Sequence, residues 1–487
     1  MQINLNHFFT RKYLIYALIA FISLIIRIIY GYNSWYIRDQ ARVFDLGFKL
    51  YHDHIIPIHG SPIVYVDSVL PGSLQGILSA FPLYFSGGNP FGIIIFVQLL
   101  NLMACIILAF IYFSIFKNIN KIVIFSLIVF SPMNIIYSYG WNPSFMIIFT
   151  SLFILGLYKV FNDKKSFIGN FLLYFPLLFL LQLNLQFIIF PAILVILLLK
   201  KLIKFPSVKV IITSFLPGFI FLLPFIVNKL SAHSQTSNNW NLHGNFFDSI
   251  NINIENIFSY FHILLRFLSF SSGEITRNIN KEYLFNNYHL LPYFIISIII
   301  SVIIILVGLF FFLNKKNWEI FKKKEAQFNF YDKFNFTIII IPFITAILFV
   351  FSITPMSTHK IWSLFPFSFY PLFFMLEKYK STGYLFKENE FVFFNFFTKK
   401  IDKIKVLLNY LQKTSIIYIY LACTLLYGCI CASQIPINFS YVMEKSRSFC
   451  TKENSKYIND VITNEKNALK EEDYTFSLLC QYWESLK

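Results

Sequence analysis

Charge is what this chain has least of: 13% of its 487 residues are Asp, Glu, Lys or Arg, and acids are the rarer kind, 24 against 41 bases. With 57% hydrophobic and 20% aromatic residues, that composition excludes an ordinary water-soluble domain. Also missing are a Walker phosphate loop, a dinucleotide glycine fingerprint, HExxH and a CxxC pair. Nucleotide hydrolysis and recognisable zinc or thiol chemistry therefore have no support. An enzyme working outside the cytoplasm without them needs a substrate activated beforehand inside, and a lipid-phosphate-linked donor meets that need.

What is present is a series of apolar runs long enough to cross a bilayer. The first, YLIYALIAFISLIIRIIYGY, lacks a small-residue cleavage site and is followed by further runs, so it reads as a span rather than a cleaved signal. The net charge of +17 raises nucleic acid as a partner, but the bases fall in short segments between spans, such as Lys164 and Lys165, Lys200, Lys201 and Lys204, and Lys322 to Lys324. The positive-inside rule accounts for them, and no nucleic acid is expected.

Taking those clusters as cytoplasmic predicts an all-α polytopic membrane protein of about eleven spans, within a range of nine to thirteen. They lie near 13–30, 92–116, 122–140, 144–160, 168–184, 186–200, 210–229, 291–313, 334–353, 361–377 and 414–433. The N-terminus is then inside. Residues 31–90, 230–290 and 354–360 are external, and 1–435 form a membrane domain carrying a small extracytoplasmic tail at 436–487. Two short helices are expected to meet at QLNLQF (182–187), and 74–87 to form an interfacial or re-entrant helix after the LPGSLQG turn. ENIFSYFHILLRFLSF has helical apolar spacing suited to lying on the outer leaflet.

The first external segment, RDQARVFD and its sequel, concentrates the scarce carboxylates: Asp39, Asp45, Asp53 and Asp67. Asp53 with His54 and His59 is a weak candidate set for a divalent cation, since the spacing is no recognised ligand pattern; loop histidines are common in any case. Cys105, Cys423, Cys429 and Cys431 lie in apolar spans and read as packing residues, whereas Cys450 and Cys480 in the tail are a candidate disulfide in an oxidising compartment.

These motifs, in their order, resemble the integral membrane glycosyltransferases that use polyprenyl-phosphate sugars: the GT-C superfamily of aminoarabinose-transferase, protein O-mannosyltransferase and RgtA/B/C/D-like type. RDQARVFDLG (38–47) is similar to the acidic motif of the first external loop, which implies that Asp39 is the essential carboxylate; Gln40 stands where many members carry Glu. LPGSLQGILSAFPLYFSGGNPFG (70–92) resembles the interfacial helix and its following turn. Trp141, Asn142 and Pro143 match a Trp-Asn-Pro form of the second loop, with no second carboxylate there. Asn184 stands in QLNLQ where His is frequent, and Lys360 in THKIWSLFPFSFYP where Tyr is common. The resemblance implies a GT-C-like helical fold, a polyprenyl-phosphate-sugar donor, a lipid-linked or cell-envelope glycan acceptor such as a lipopolysaccharide, and a bacterial inner-membrane location.

The chemistry of such a transfer needs a base for the acceptor hydroxyl, charge stabilisation on the departing phosphate, and alignment of both substrates. Asp39 is the candidate base, although a carboxylate beside Arg38 and three residues from Arg42 also suits a solvated ion pair. Arg38, Arg42, Arg277 and Lys360 are candidate phosphate holders, with surface or snorkelling charge as the plainer reading. Trp141 and Asn142 suit sugar contact, while an interfacial Trp equally suits anchoring; Asn184 in an apolar segment either caps a broken helix or touches substrate. No cofactor is required beyond a candidate divalent cation. Two other classes compete: a flippase for lipid-linked glycans, which would show broken or charged helices at the midplane, and an O-antigen-type glycan polymerase, which would carry basic residues on a large late external loop.

Overall fold

Backbone groups in an apolar run have no water to bond, so each run closes its own hydrogen bonds as a helix. The computed structural model describes residues 11–34, 36, 38–63, 68–138, 140–234, 259–272, 291–324, 327–351, 358–382, 417–424, 439–452 and 471–486. Its principal helices in order are α1 (Arg11–Tyr32), α2 (Arg38–His52), α3 (Leu74–Ser86), α4 (Phe91–Ile115), α5 (Lys121–Val129), α6 (Pro132–Tyr137), α7 (Met146–Asn162), α8 (Phe167–Leu183), α9 (Ile189–Leu199), α10 (Val208–Ser234), α11 (Tyr260–Ser269), α12 (Leu291–Leu313), α13 (Phe330–Val350), α14 (Phe369–Thr382), α15 (Phe439–Lys452) and α16 (Glu471–Ser485). Among the described residues six helical segments are long and apolar enough to cross a membrane, and 121–135, 167–183 and 185–199 are shorter apolar helices. The protein is an all-α polytopic membrane protein.

The Lys-rich turns converge at one end of the bundle. Lys164 Nζ donates to Lys201 O (2.7 Å), Tyr331 Oη to Ile115 O (2.8 Å) and Lys333 Nζ to Phe161 O (2.8 Å), while Asn118 Nδ2 donates to Glu377 (2.7 Å). At the opposite end lie α2, α3, a two-stranded antiparallel sheet of β1 (His59–Ile63) and β2 (Ser68–Pro71), and the tail helices α15 and α16.

The tightest span pairing is α7 with α8. A Cβ at Gly156 would fall 2.6 to 2.8 Å from backbone atoms of Leu172 and Leu173, so only a bare backbone lets the helices approach this closely. Gly156→Val is expected to destabilise by about 1–3 kcal/mol, the usual cost of overpacking a close contact. A thermal midpoint in detergent equal to that of the wild type would show that the pair has slack.

Several expectations need correction. The acidic segment after α1 is not a polar loop: Arg38–His52 is helical, with Ala41, Val43, Phe44 and Phe48 buried. The sheet over 59–71 was not anticipated, because HGSPI carries Gly and Pro in a short edge pairing with an irregular register between His59 and Pro62. The run 122–140 is two helices broken before Pro132, whose ring has no N–H and pushes Ser131 to an extended conformation (ψ 114°). The run 361–377 is likewise divided, into a 3-10 stretch (Thr358–Phe367) containing Pro366 and then α14. QLNLQF is a junction as expected: α8 ends at Leu183, a 3-10 turn covers Leu185–Ile188, and α9 follows. The amphipathic α11 turns Ile263, Leu264, Phe267 and Leu268 inward and leaves Phe261 and Leu265 exposed. The span expected at 414–433 is described only over 417–424, and Cys429 and Cys431 lie outside the described residues.

Candidate functional site

The α1 span delivers the chain directly into α2, whose first turn carries Asp39. Unpaired N–H groups at a helix start favour a carboxylate there. Asp39 is half-buried, as is Arg42 one turn on. One side of α2 presses on α3, where a Cβ at Gly47 would lie 2.6 to 2.9 Å from Ser79 and Ala80. An adjoining part of the same face offers Phe44 and Phe48 to Tyr482 of α16, with ring centroids 6.3 and 6.4 Å apart. The Asp39 helix therefore packs on both α3 and the tail.

Asp45 pairs with Lys49 (2.8 Å), and burial pushes its carboxyl above the usual range despite that lysine. His52 Nδ1 lies 2.8 Å from Asp53 Oδ1. The candidate metal set is not gathered: Asp53 meets His52 rather than His54 or His59, both Asp53 and His54 are exposed, and His59 Nδ1 is 3.0 Å from Gly60 O. Among the described residues no three His, Cys, Asp or Glu side chains stand close enough to hold an ion.

Beside α2, amide side chains form three sets of hydrogen bonds, the first of which joins β1, α3 and the 142–145 turn. Gln75, fully buried in the first turn of α3, accepts from Ser61 N through Oε1 (2.7 Å) and donates through Nε2 to Asn142 Oδ1, which Ser61 Oγ also reaches at 3.4 Å. Asn142 opens a 3-10 turn (Asn142–Phe145) preceded by half-buried Trp141. At the end of α8, Gln182 Nε2 donates to Leu178 O (3.1 Å) and Gly218 O (2.9 Å), and Gly72 (φ 88°) leaves room for its side chain. Asn184 accepts from Gln186 N (3.1 Å), so its side chain caps the 185–188 turn. Gln186 Oε1 in turn accepts from Ser363 N (2.9 Å) in the 358–367 stretch.

That stretch carries Lys360, half-buried, whose ammonium loses hydration and is lowered to about 8. The 358–367 segment packs on the 142–145 and 185–188 turns, so Asn142, Asn184 and Lys360 belong to one assembly, linked to α2 through β1. Gln182 Oε1 and Ser363 Oγ are buried with no hydrogen-bond partner among the described residues.

Arg277 lies outside the described residues, as does the side chain of Arg38. Sequence reasoning passed over Ser61, Gln75, Gln182, Gln186 and Ser363. The available signal was amide side chains inside apolar runs, which are costly unless paired. In the tail, Cys450 and Cys480 are joined by a disulfide, with Phe449 and Trp483 packed beside it.

No family model matches the chain, and no curated protein sequence matches it. Solved structures do. ArnT from Cupriavidus metallidurans in the apo state superposes with a TM-score of 0.54 at 9% identity, covering 95% of this chain and 84% of that one. The same protein bound to undecaprenyl phosphate gives 0.52 at 9% identity, covering 97% and 88%. At that identity the likeness shows the fold alone: the all-α polytopic architecture expected from the sequence is the observed one, and it is shared with ArnT.

Proposed function

We propose that this chain is a glycosyltransferase that moves a monosaccharide from a polyprenyl-phosphate carrier to a lipid-linked or cell-envelope glycan. The observation that carries this reading is Asp39, half-buried in the first turn of α2 at the end of the bundle opposite the lysines, within a fold shared with a protein that binds undecaprenyl phosphate. The proposal takes the Lys-rich end as cytoplasmic, as the positive-inside rule suggests, and Asp39 as standing at the outer face of a bacterial inner membrane. A donor anchored in the outer leaflet then meets an acceptor arriving from outside.

In the proposed step Asp39 takes the proton of the acceptor hydroxyl as its oxygen attacks the anomeric carbon. The bond to the carrier phosphate breaks, and the configuration inverts in a single displacement. Lys360 and Arg42, with Arg38 and Arg277, are the proposed holders of the departing phosphate. Half-buried Trp141 and Asn142 are proposed to face the sugar, with the amide cluster holding them in place. Residues 436–487 serve as an appendage bracing the membrane domain, and no step is assigned to a divalent cation.

Because Lys360 is lowered to about 8, its ammonium form dominates below that pH and is lost above it. Donor kcat/KM is therefore expected to fall as pH rises from 7 through about 8, while Lys360→Arg, which keeps its charge, stays level over the same range. A flat wild-type profile to pH 9.5 would remove Lys360 from the phosphate.

One observation favours a second reading. The break before Pro132 lies beside the membrane-embedded Arg27, and broken, charged helices are what a flippase uses. The deciding experiment supplies purified protein in vesicles with labelled sugars on polyprenyl phosphate and extracted envelope acceptors. Labelled product supports the transferase; carrier-linked glycan crossing the bilayer without product supports the flippase.

A further inference from the structure

Arg27 is fully enclosed within α1, among the most costly places in the chain for a guanidinium. No carboxylate meets it among the described residues. Its N–H groups reach Ser23 Oγ (3.2 Å, from Nε), Gln98 Oε1 (3.4 Å, from Nη1), Cys105 Sγ (3.8 Å) and Val129 O (3.0 Å), the last two from Nη2. Ser23 Oγ also donates to Val129 O (2.9 Å). One rigid fork thus ties α1 to α4 and to the last residue of α5.

Val129 is where the neighbouring span breaks. In an unbroken helix its carbonyl would accept from the amide of Met133, but Ser131 is extended and α6 restarts at Pro132, so that carbonyl has no helical donor. Arg27 and Ser23 replace the missing bond. In a membrane an unpaired carbonyl is costly, so the replacement favours the broken conformation over a continuous helix.

The break has a destination. The short α6 ends at Tyr137 and is followed by Ser138, whose Oγ donates to Asn134 O; Gly140 then packs on Ile93 and Ile94, and the chain reaches Trp141 and Asn142. Asn142 is the residue bound to Gln75 and Ser61 of the first loop. On its other side Arg27 belongs to α1, which ends at Tyr32, shortly before Arg38 opens the helix that carries Asp39.

We infer that Arg27 is a positioning residue: by capping the break after Val129 it fixes the Trp141–Asn142 turn relative to the helix that delivers Asp39. It touches no substrate. This role in transfer rests on the transferase reading above, whereas the mechanical role at the break does not. The same contacts answer the flippase reading, because a guanidinium already committed to a carbonyl and neutral side chains, and closed to solvent, is fitted for holding helices rather than moving a glycan.

The test compares wild type, Arg27→Lys, Arg27→Gln and Ser23→Ala as full chains in detergent. Backbone hydrogen exchange is followed over 130–146, with the α7–α8 contact as internal reference, together with kcat and donor KM on a panel of polyprenyl-phosphate hexoses and aminopentoses. Arg27→Gln is expected to speed exchange at least ~10-fold over 130–146 alone and to lower kcat about 100-fold, the scale of a misplacement near 1 Å, with donor KM little changed. Arg27→Lys, one point charge in place of a fork, should fall between. Exchange unchanged over 130–146, or faster everywhere equally, would overturn the inference, and so would a loosened turn with wild-type kcat. Should Arg27→Gln fail to fold, Arg27→Lys and Ser23→Ala decide by the same criteria. If the wild type transfers none of the panel sugars, the transferase reading fails, while the exchange measurement still decides whether Arg27 holds the turn.

Discussion

Asp39→Asn is expected to leave the protein folded and to lower transfer about 10²- to 10⁴-fold, the range attributed to general base catalysis. The amide has nearly the shape of the carboxylate and keeps its acceptor oxygen at the helix start, so α2 should lose only about 0.3–1 kcal/mol of favourable end charge. What disappears is the ability to take a proton. Asp45→Asn is the matched control: it removes a carboxylate from the same helix, one that pairs with Lys49 at 2.8 Å, and transfer should persist. Equal losses in both variants would mean that the helix tolerates no substitution, and wild-type transfer by Asp39→Asn would move the base elsewhere.

The value of that comparison depends on how α2 is held, and this was the part of the molecule least readable in its sequence. Spans announce themselves because a bilayer demands unbroken apolar length, so α1, α4, α10 and α12 could be placed within a few residues. Breaks announce themselves less, since Pro132 and Pro366 sit in runs apolar enough to read as continuous. Asp39 was visible as a rare carboxylate in an ordered motif series. The amides around Asn142 were not, because a Gln such as Gln75 acquires meaning only when folding brings it to Ser61 and Asn142 from distant parts of the chain. Arg27 stood in plain sight within an apolar run, yet its partners beyond α1 lie on two other helices. Pairwise chemistry across long sequence separations leaves no local periodicity to read.

The tail supplies the other large effect. It reaches the site end of the bundle in two places. Phe439 N donates to Ser34 O (3.2 Å) while its ring meets Tyr32, Tyr36 and Phe91, and Tyr482 sits against Phe44 and Phe48. The Cys450–Cys480 bond, across a sequence separation of 30, ties α15 to α16 so that both contacts form as one unit. Closing a loop of that size restricts the undocked tail by about 3–4 kcal/mol in the chain-entropy estimate. Removing the bond is expected to weaken tail docking by that amount while leaving the span packing of α7 and α8 untouched. Cys450→Ser with Cys480→Ser should therefore show faster hydrogen exchange in α2, α15 and α16, an unchanged thermal midpoint for the spans, and transfer reduced roughly 10-fold or more as the Asp39 helix loses one of its two supports. Treating the wild type with reductant should reproduce the variant and leave the variant itself unaffected. If α2 exchanges at the wild-type rate in the double serine variant, the ring contacts alone hold the helix. A further variant, Tyr482→Ala, would then have to carry the loss, because Phe44 and Phe48 would face water in place of that ring.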